Sequence, residues 1–314
     1  MWYKLQGTIE ENKTTKTKEE PMYKLIAVDL DGTMLNKYGT VTEETKKTIK
    51  QTIEQGTDVI IASGRPIDSI KTIAEEINSK KYFIAGNGAI IYDIQKEKII
   101  YEKYIPRQKI IEIAKICEEN NISYNIYTEK NIITQDLKYN VLYYYKENLK
   151  KDANKITSII KVDSILEYVK NEPNIKCLKI TVCDENQTIF KSIVRRLRAI
   201  ENIDVMDVSH MSRKVFKQGT EDIEIGYFYT EISSTQVNKW QAIKYLLPIL
   251  QIKPEEVIGI GDNINDKEMI ENAGLGVCMG QSTPVIKEIS DEITDSNTEE
   301  GVANVLEKIF LQSN

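Results

Sequence analysis

Leu25-Ile26-Ala27-Val28-Asp29-Leu30-Asp31-Gly32-Thr33 is the stretch that decides the fold of this chain. Four apolar residues in a row, without polar alternation, read as a strand covered on both faces, as in a parallel sheet. The run then stops at Asp29 and opens into a polar, glycine-containing turn. Similar runs follow at Val59-Ile60-Ile61-Ala62, Tyr82-Phe83-Ile84-Ala85, Val257-Ile258-Gly259-Ile260 and Leu275-Gly276-Val277-Cys278. Between the first two lies a helix predicted over residues 43–55, with Thr45, Ile49 and Ile53 at helical spacing. Thr42 is its expected cap and Gly56 its terminator. Alternation of strands and helices predicts an α/β fold with a Rossmann-like parallel sheet.

Residues 91–224 read differently. Ile- and Tyr-rich strand candidates, 122–127 and 175–182, interleave with helices expected over 106–120 and 186–200. With no Gly/Pro/Ser linker on either side, this stretch is expected to be a second α/β domain inserted between residues 22–90 and 225–314. Residues 1–21 contain the polar run from Glu10 to Glu20 and are expected to be a mobile leader or a non-native remnant, with Met22 as a natural start.

Composition limits the possible functions. Of 314 residues, 41% are hydrophobic and 29% charged, and the formal net charge is −6. That balance argues against a nucleic-acid backbone binder, which needs an excess of Lys and Arg. No apolar run reaches the roughly 18 residues of a membrane span, and residues 1–21 have no apolar stretch of an export signal. Cys117, Cys177, Cys183 and Cys278 form no C-x-x-C pair, so buried free thiols in a reducing cytoplasm are expected. A single histidine, His210, makes a His-rich metal site or a Ser-His-Asp triad improbable, and it is expected at the surface or a hinge. The run Tyr143-Tyr144-Tyr145 is expected to pack inside the inserted domain.

The chemistry lies where the strands end, since open α/β sheets place ligands at the carboxyl ends of their strands. Asp29-Leu30-Asp31-Gly32-Thr33 follows the first strand, Ser63-Gly64-Arg65-Pro66 the second and Gly86-Asn87-Gly88-Ala89 the third. The fourth is followed by Gly261-Asp262-Asn263-Ile264-Asn265-Asp266. Carboxylates gathered this way repel one another and call for a hard cation with oxygen ligands. Magnesium suits few carboxylates together with substrate phosphate and water, and a carboxylate can then attack phosphorus. A dinucleotide fingerprint is a poor reading of Gly259-Ile260-Gly261: Ile264 stands where the third glycine belongs and Asp262 would face the pyrophosphate.

These segments resemble the motifs of the haloacid dehalogenase-like phosphatases. Asp29–Thr33 resembles the first motif, Ser63 the second, Lys239 the third, and Gly261-Asp262 with Asn265-Asp266 the fourth. The set looks like the Cof-type sugar-phosphatase branch, which carries a large cap domain between motifs two and three. The closing Asn297-Thr298-Glu299-Glu300-Gly301-Val302 looks like that branch's tail, whereas Trp240 after Lys239 departs from the small residue usual there.

The resemblance implies Asp29 as nucleophile and Asp31 as acid/base. Magnesium would lie on Asp29, Asp262 and the backbone carbonyl of Asp31. Ser63 and Lys239 would hold the phosphoryl oxygens, with Asp266 supporting Lys239 or a water. Gly64, Arg65, Asn87 and Asn265 would face the substrate, a small phosphorylated metabolite such as a sugar phosphate or phosphorylated cofactor. A phosphotransferase or mutase on the same scaffold, and a non-catalytic phosphometabolite sensor, are the alternatives. The oligomeric state is not legible in the sequence.

Overall fold

The computed structural model describes residues 23–149, 156–206, 212–218 and 221–311; the expected leader and His210 lie outside them. Two sheets organise the chain. The strands are, in order, β1 Leu25–Val28, β2 Asp58–Ala62, β3 Tyr82–Ala85, β4 Ile90–Asp93 and β5 Lys98–Glu102. Next come β6 Ser123–Thr128, β7 Asn131–Thr134, β8 Ser158–Lys161, β9 Cys177–Asp184, β10 Ile203–Val205, β11 Ser212–Gln218 and β12 Glu221–Ser234. The chain then supplies β13 Val257–Gly261, β14 Leu275–Cys278 and β15 Glu292–Ile293.

The first sheet has the order β15-β14-β13-β1-β2-β3-β4-β5. It is parallel from β15 to β3, and its last strands form the antiparallel hairpin β4–β5. β1 sits in the middle, paired with β13 on one side and β2 on the other. All four of its residues are buried. Side chains alternate across a strand, so Ile26 and Val28 join one apolar cluster and Leu25 and Ala27 another on the opposite face. Burying each such side chain stabilises the fold by roughly 1.5–3 kcal/mol for Val, Leu or Ile, which fixes the carboxyl end of β1 firmly.

The predicted first helix is present as Glu43–Glu54, and the Thr42 side chain accepts from the Thr45 N–H as an N-cap. The helix Lys239–Leu250 is capped likewise by Asn238, which accepts from Gln241 N–H at 2.8 Å.

The second sheet has the order β10-β12-β9-β6-β7-β8, with β11 paired to β12. One of its faces, including Ile126, Ile180 and Val182, packs with the helices Arg107–Glu119 and Gln187–Leu197. The other face holds Asn125, Lys179 and Thr181, looking away from that apolar cluster.

Strand membership moves the points where the chain passes between the sheets. The expected junctions were 90/91 and 224/225, but the hairpin β4–β5 stays in the first sheet and β12 runs to Ser234 in the second. Neither strand is marked by a break in composition. Ile90–Asp93 follows directly on Gly88-Ala89 as one more apolar run, and along Tyr229–Ser234 half-buried residues alternate with buried ones as in an antiparallel strand with one covered face.

All four cysteines are free and buried. Of the tyrosine run, Tyr144 packs against Tyr127 in a small apolar cluster, while Tyr145 is exposed; the Tyr143 side chain lies outside the description. No described helix is long and apolar enough to cross a membrane.

Candidate active site

The topology brings the four polar turns to one edge of the first sheet, because β13, β1, β2 and β3 are neighbours and parallel. Asp29 leaves the end of β1 and is 4% exposed. Lys239, the first residue of its helix, is 1% exposed and donates to Asp29 Oδ1 at 2.5 Å and to Asp266 Oδ1 at 2.5 Å. A lysine at a helix start usually faces water; here burial between two carboxylates replaces its hydration.

Asp266 is also fully engaged at its second oxygen. Oδ2 accepts from the Asp262 N–H at 3.0 Å and the Asn263 N–H at 3.1 Å. Asp266 therefore fixes both the loop and the lysine. Gly261 permits its approach, since a Cβ there would stand 2.4 Å from the Asp266 Cβ.

Asp262 completes the group. Its Oδ1 accepts from the Thr33 hydroxyl at 3.2 Å. Gly32 faces it with φ +86°, and a Cβ on that residue would meet Asp262 Oδ2 at 2.4 Å. Among the described residues, Asp29, Asp262 and Asp266 each offer an oxygen within 4.8 Å of the others. These acids could hold a divalent cation. With both Asp266 oxygens already occupied by donors, Asp29 and Asp262 are the ones free to turn toward it. The Asp31 carboxylate stands outside the cluster; the resemblance gives that residue only a backbone carbonyl there.

The electrostatics fit such an ion. Burial pushes Asp29 up to about 8, with Asp266 and Asp262 adding to the rise and Lys239 opposing it. Burial likewise pushes Asp262 up to about 7, helped by Asp266. Burial works against the charge of Lys239, but Asp266 and Asp29 outweigh it and hold the ammonium above the ordinary lysine value. One lysine thus leaves two partly uncompensated acids side by side. An oxygen-only donor set with surplus negative charge is what a hard divalent cation requires.

Above this floor is a cavity of about 200 Å³. Its first-sheet wall includes Asp29, Asp31, Ser63, Gly64, Arg65, Asn87 and Asn265. Ser63 is buried, and its Oγ accepts from the Arg65 N–H at 3.2 Å. Asp31 is turned outward, its side chain 62% exposed and gripped bidentately by Arg65: Nε to Oδ2 at 2.7 Å, Nη2 to Oδ1 at 2.6 Å. Asn87 has a left-handed backbone (φ 56°) and accepts from Asn265 Nδ2 at 3.3 Å. Every expected site residue thus lies at this edge, with Lys239, Asp262 and Asp266 beneath or beside the cavity.

The family model of haloacid dehalogenase-like hydrolases matches residues 26–306. The chain belongs to this family. Its relatives place this haloacid dehalogenase-like hydrolase in the Cof-like phosphatase branch, in which the second sheet is the cap domain. The phosphatase YwpJ of Bacillus subtilis is 28% identical over 295 residues, covering 91% of this chain and 100% of its own. The 5-amino-6-(5-phospho-D-ribitylamino)uracil phosphatase YcsE of the same organism is 25% identical, covering 92% of this chain and 96% of its own. The crystal structure of a haloacid dehalogenase-like hydrolase from Bacteroides thetaiotaomicron aligns with a TM-score of 0.71 at 27% identity, covering 92% of this chain and 100% of that one. The protein is a hydrolase of the phosphatase type.

The cap wall of the cavity was not foreseen. Among the described residues it is formed by Tyr144, Lys179, Met206, Tyr229 and Glu231. Lys179 and Glu231 donate and accept across adjacent strands at 2.6 Å, and the second Glu231 oxygen accepts from Asn87 Nδ2 at 3.1 Å. Lys179 carried a signal, a charged residue set in the apolar Leu178-Lys179-Ile180, whereas Glu231 is one of several acids along β12 and carried none. Thr33 was also given no part, although it stood within the first quoted motif.

Proposed function

We propose that the chain is a magnesium-dependent phosphatase acting on a small phosphorylated metabolite, a sugar phosphate or a phosphorylated cofactor, through an aspartyl-phosphate on Asp29. One observation carries this reading. A buried carboxylate, held by Lys239 at 2.5 Å with Asp262 beside it, forms the floor of a cavity wide enough for a phosphate ester.

Magnesium held by Asp29, Asp262 and the Asp31 carbonyl would supply neutralisation of the phosphate dianion, so that an anionic nucleophile can approach it. Lys239 holds one Asp29 oxygen, which leaves the other to attack phosphorus. As that oxygen–phosphorus bond forms, the bond to the leaving oxygen breaks, and Asp31 donates a proton to the leaving oxygen. Water then attacks the phosphorus of the acyl-phosphate and gives its proton to Asp31, releasing phosphate and restoring Asp29. Ser63, Arg65 and Asn265 bind the phosphoryl oxygens or the surrounding water, and Asp266 acts through Lys239. Asp31 now points at Arg65, so the proton transfer needs it to turn inward. An arriving phosphate competes for the same guanidinium and favours that turn.

The relative that acts on a phosphoribitylamino-uracil supports a leaving group that is a polyol, with or without a ring. Four buried free thiols agree with a reducing, cytoplasmic setting. The test is phosphate release from p-nitrophenyl phosphate with magnesium, expected to stop with chelator and with Asp29→Asn. Hydrolysis that survives Asp29→Asn would sink the mechanism.

A further inference from the structure

The cap side of the cavity has its own charge arithmetic. Lys179 and Glu231 have side chains only 14% and 17% exposed, in neighbouring strands of the cap sheet, and they satisfy each other at 2.6 Å. Burial opposes the Lys179 charge, but Glu231 more than restores it, so the residue stays an ammonium. Lys179 Nζ also lies 5.1 Å from the centre of the Tyr127 ring. Glu231 uses its other oxygen to reach Asn87 on the core. The remaining described cap residues around the cavity, Tyr144, Met206 and Tyr229, bring no further formal charge. On the core side, Arg65 faces Asp31, and Lys239 faces Asp29 and Asp266.

A leaving group seated against this wall therefore meets one cation and one anion already bound to each other. A hydroxyl suits that pair: its oxygen accepts from Lys179 while its proton goes to Glu231, and the ion pair need not break. A carboxylate or a second phosphate does not suit it. Such a group draws on Lys179 only by displacing Glu231, whose negative charge then remains beside it with little water.

Resting on the phosphatase reading above, we infer that Lys179 and Glu231 form a selectivity filter that accepts uncharged, hydroxylated leaving groups and rejects acidic ones. Tyr144 and Tyr229 extend the same wall with amphipathic rings, which tolerate the apolar side of a polyol or a ring. Glu231 is the rejecting element and Lys179 the balancing one, so the two should move selectivity in opposite directions when changed.

The experiment compares kcat/KM of the full chain with magnesium on matched esters: glycerol 3-phosphate against 3-phosphoglycerate, glucose 6-phosphate against 6-phosphogluconate, and phenyl phosphate against 4-carboxyphenyl phosphate. The neutral member of each pair is expected to be favoured about 10-fold or more. Glu231→Gln, which keeps an acceptor for Asn87 and removes the charge, should raise turnover of the acidic members and bring the ratio toward unity. Lys179→Met should widen the ratio by leaving Glu231 uncompensated. Equal or better turnover of acidic esters by the wild type, or a ratio that Glu231→Gln leaves unmoved, would overturn the inference. Should one variant fail to fold, the wild-type ratio and the other variant still decide it. Failure of the wild type to release phosphate from any ester would instead overturn the phosphatase reading, and with it this filter.

Discussion

The two walls of the cavity are built on opposite principles. The core wall concentrates unbalanced charge: buried Asp29 and Asp266 share one lysine with half-buried Asp262 beside them, and Asp29 and Asp262 are held far above their ordinary values. The cap wall pairs its charges one to one, Lys179 with Glu231, and surrounds them with tyrosines. An unbalanced site has a standing demand for a cation and a phosphate, which is what a reaction centre needs. A balanced site has no such demand and can only discriminate. Changes to the core wall should therefore affect every substrate alike, and changes to the cap wall should alter the ratio between substrates.

The sharpest way to break that contrast is Asp29→Asn. An amide cannot attack phosphorus, so kcat should fall by about 10³-fold or more on every ester tested. A loss confined to one substrate in steady-state kinetics would show that the core wall also selects. Lys239→Met comes next. It leaves Asp29 and Asp266 buried without their cation, and breaking a buried pair this way costs about 3–5 kcal/mol. Denaturant unfolding should report that loss in metal-free protein, and magnesium should recover part of it, because Asp29 is then the more in need of a counter-ion. A stable, active Lys239→Met protein would remove the premise that this lysine is balancing the acids.

The motifs of the core wall were legible because each stands where a short apolar run stops. Val28 to Asp29 and Ile260-Gly261 to Asp262 are abrupt changes that a central strand shares only with its ligand-binding end. The parallel strands were legible for the same reason. The Asp31–Arg65 pair was not, because nothing in the spacing of a turn residue tells which way a carboxylate swings. Lys179 was hidden differently: Cys177 and Cys183 flank it, and the strand reads as a buried apolar segment. Its partner Glu231 is 52 residues away, and only the antiparallel pairing of β9 with β12 joins them. That pairing depends on cap-sheet topology, which periodicity does not specify.

Proton competition sharpens the comparison further. Asp29 and Asp262 have folded-state values of about 8 and about 7, raised above the ordinary 3.8. A raised carboxyl binds its proton more tightly when folded. The stability this contributes is complete below about pH 4 and is lost as pH rises through about 7 and then about 8. Metal-free protein should thus lose stability across that window. Magnesium binds the deprotonated acids, so its stabilising effect should be small near about pH 6 and larger near about pH 8. Thermal melts with chelator or millimolar magnesium at the two values measure it, and a rise in Tm of a few degrees is expected at the higher pH. An effect of magnesium that shrinks with rising pH would contradict the placement of the ion on these two acids.

The smallest effect belongs to the cap. Tyr144 lies on the cavity and packs edge-on against Tyr127, with ring centres 6.2 Å apart. Tyr144→Leu keeps the bulk and removes the ring, a loss of about 0.5–1.5 kcal/mol for an aromatic contact. That corresponds to roughly 2–10-fold in kcat/KM for substrates that lean on this wall. The effect should fall on KM, differ between a ring-bearing and an open-chain ester, and leave the magnesium requirement untouched. The distinction is between walls rather than between residues, since Tyr144 and Asp29 border the same cavity. If Tyr144→Leu lowered kcat equally for all esters, the cap would be completing the reaction centre, and a balanced wall would no longer mean a merely discriminating one.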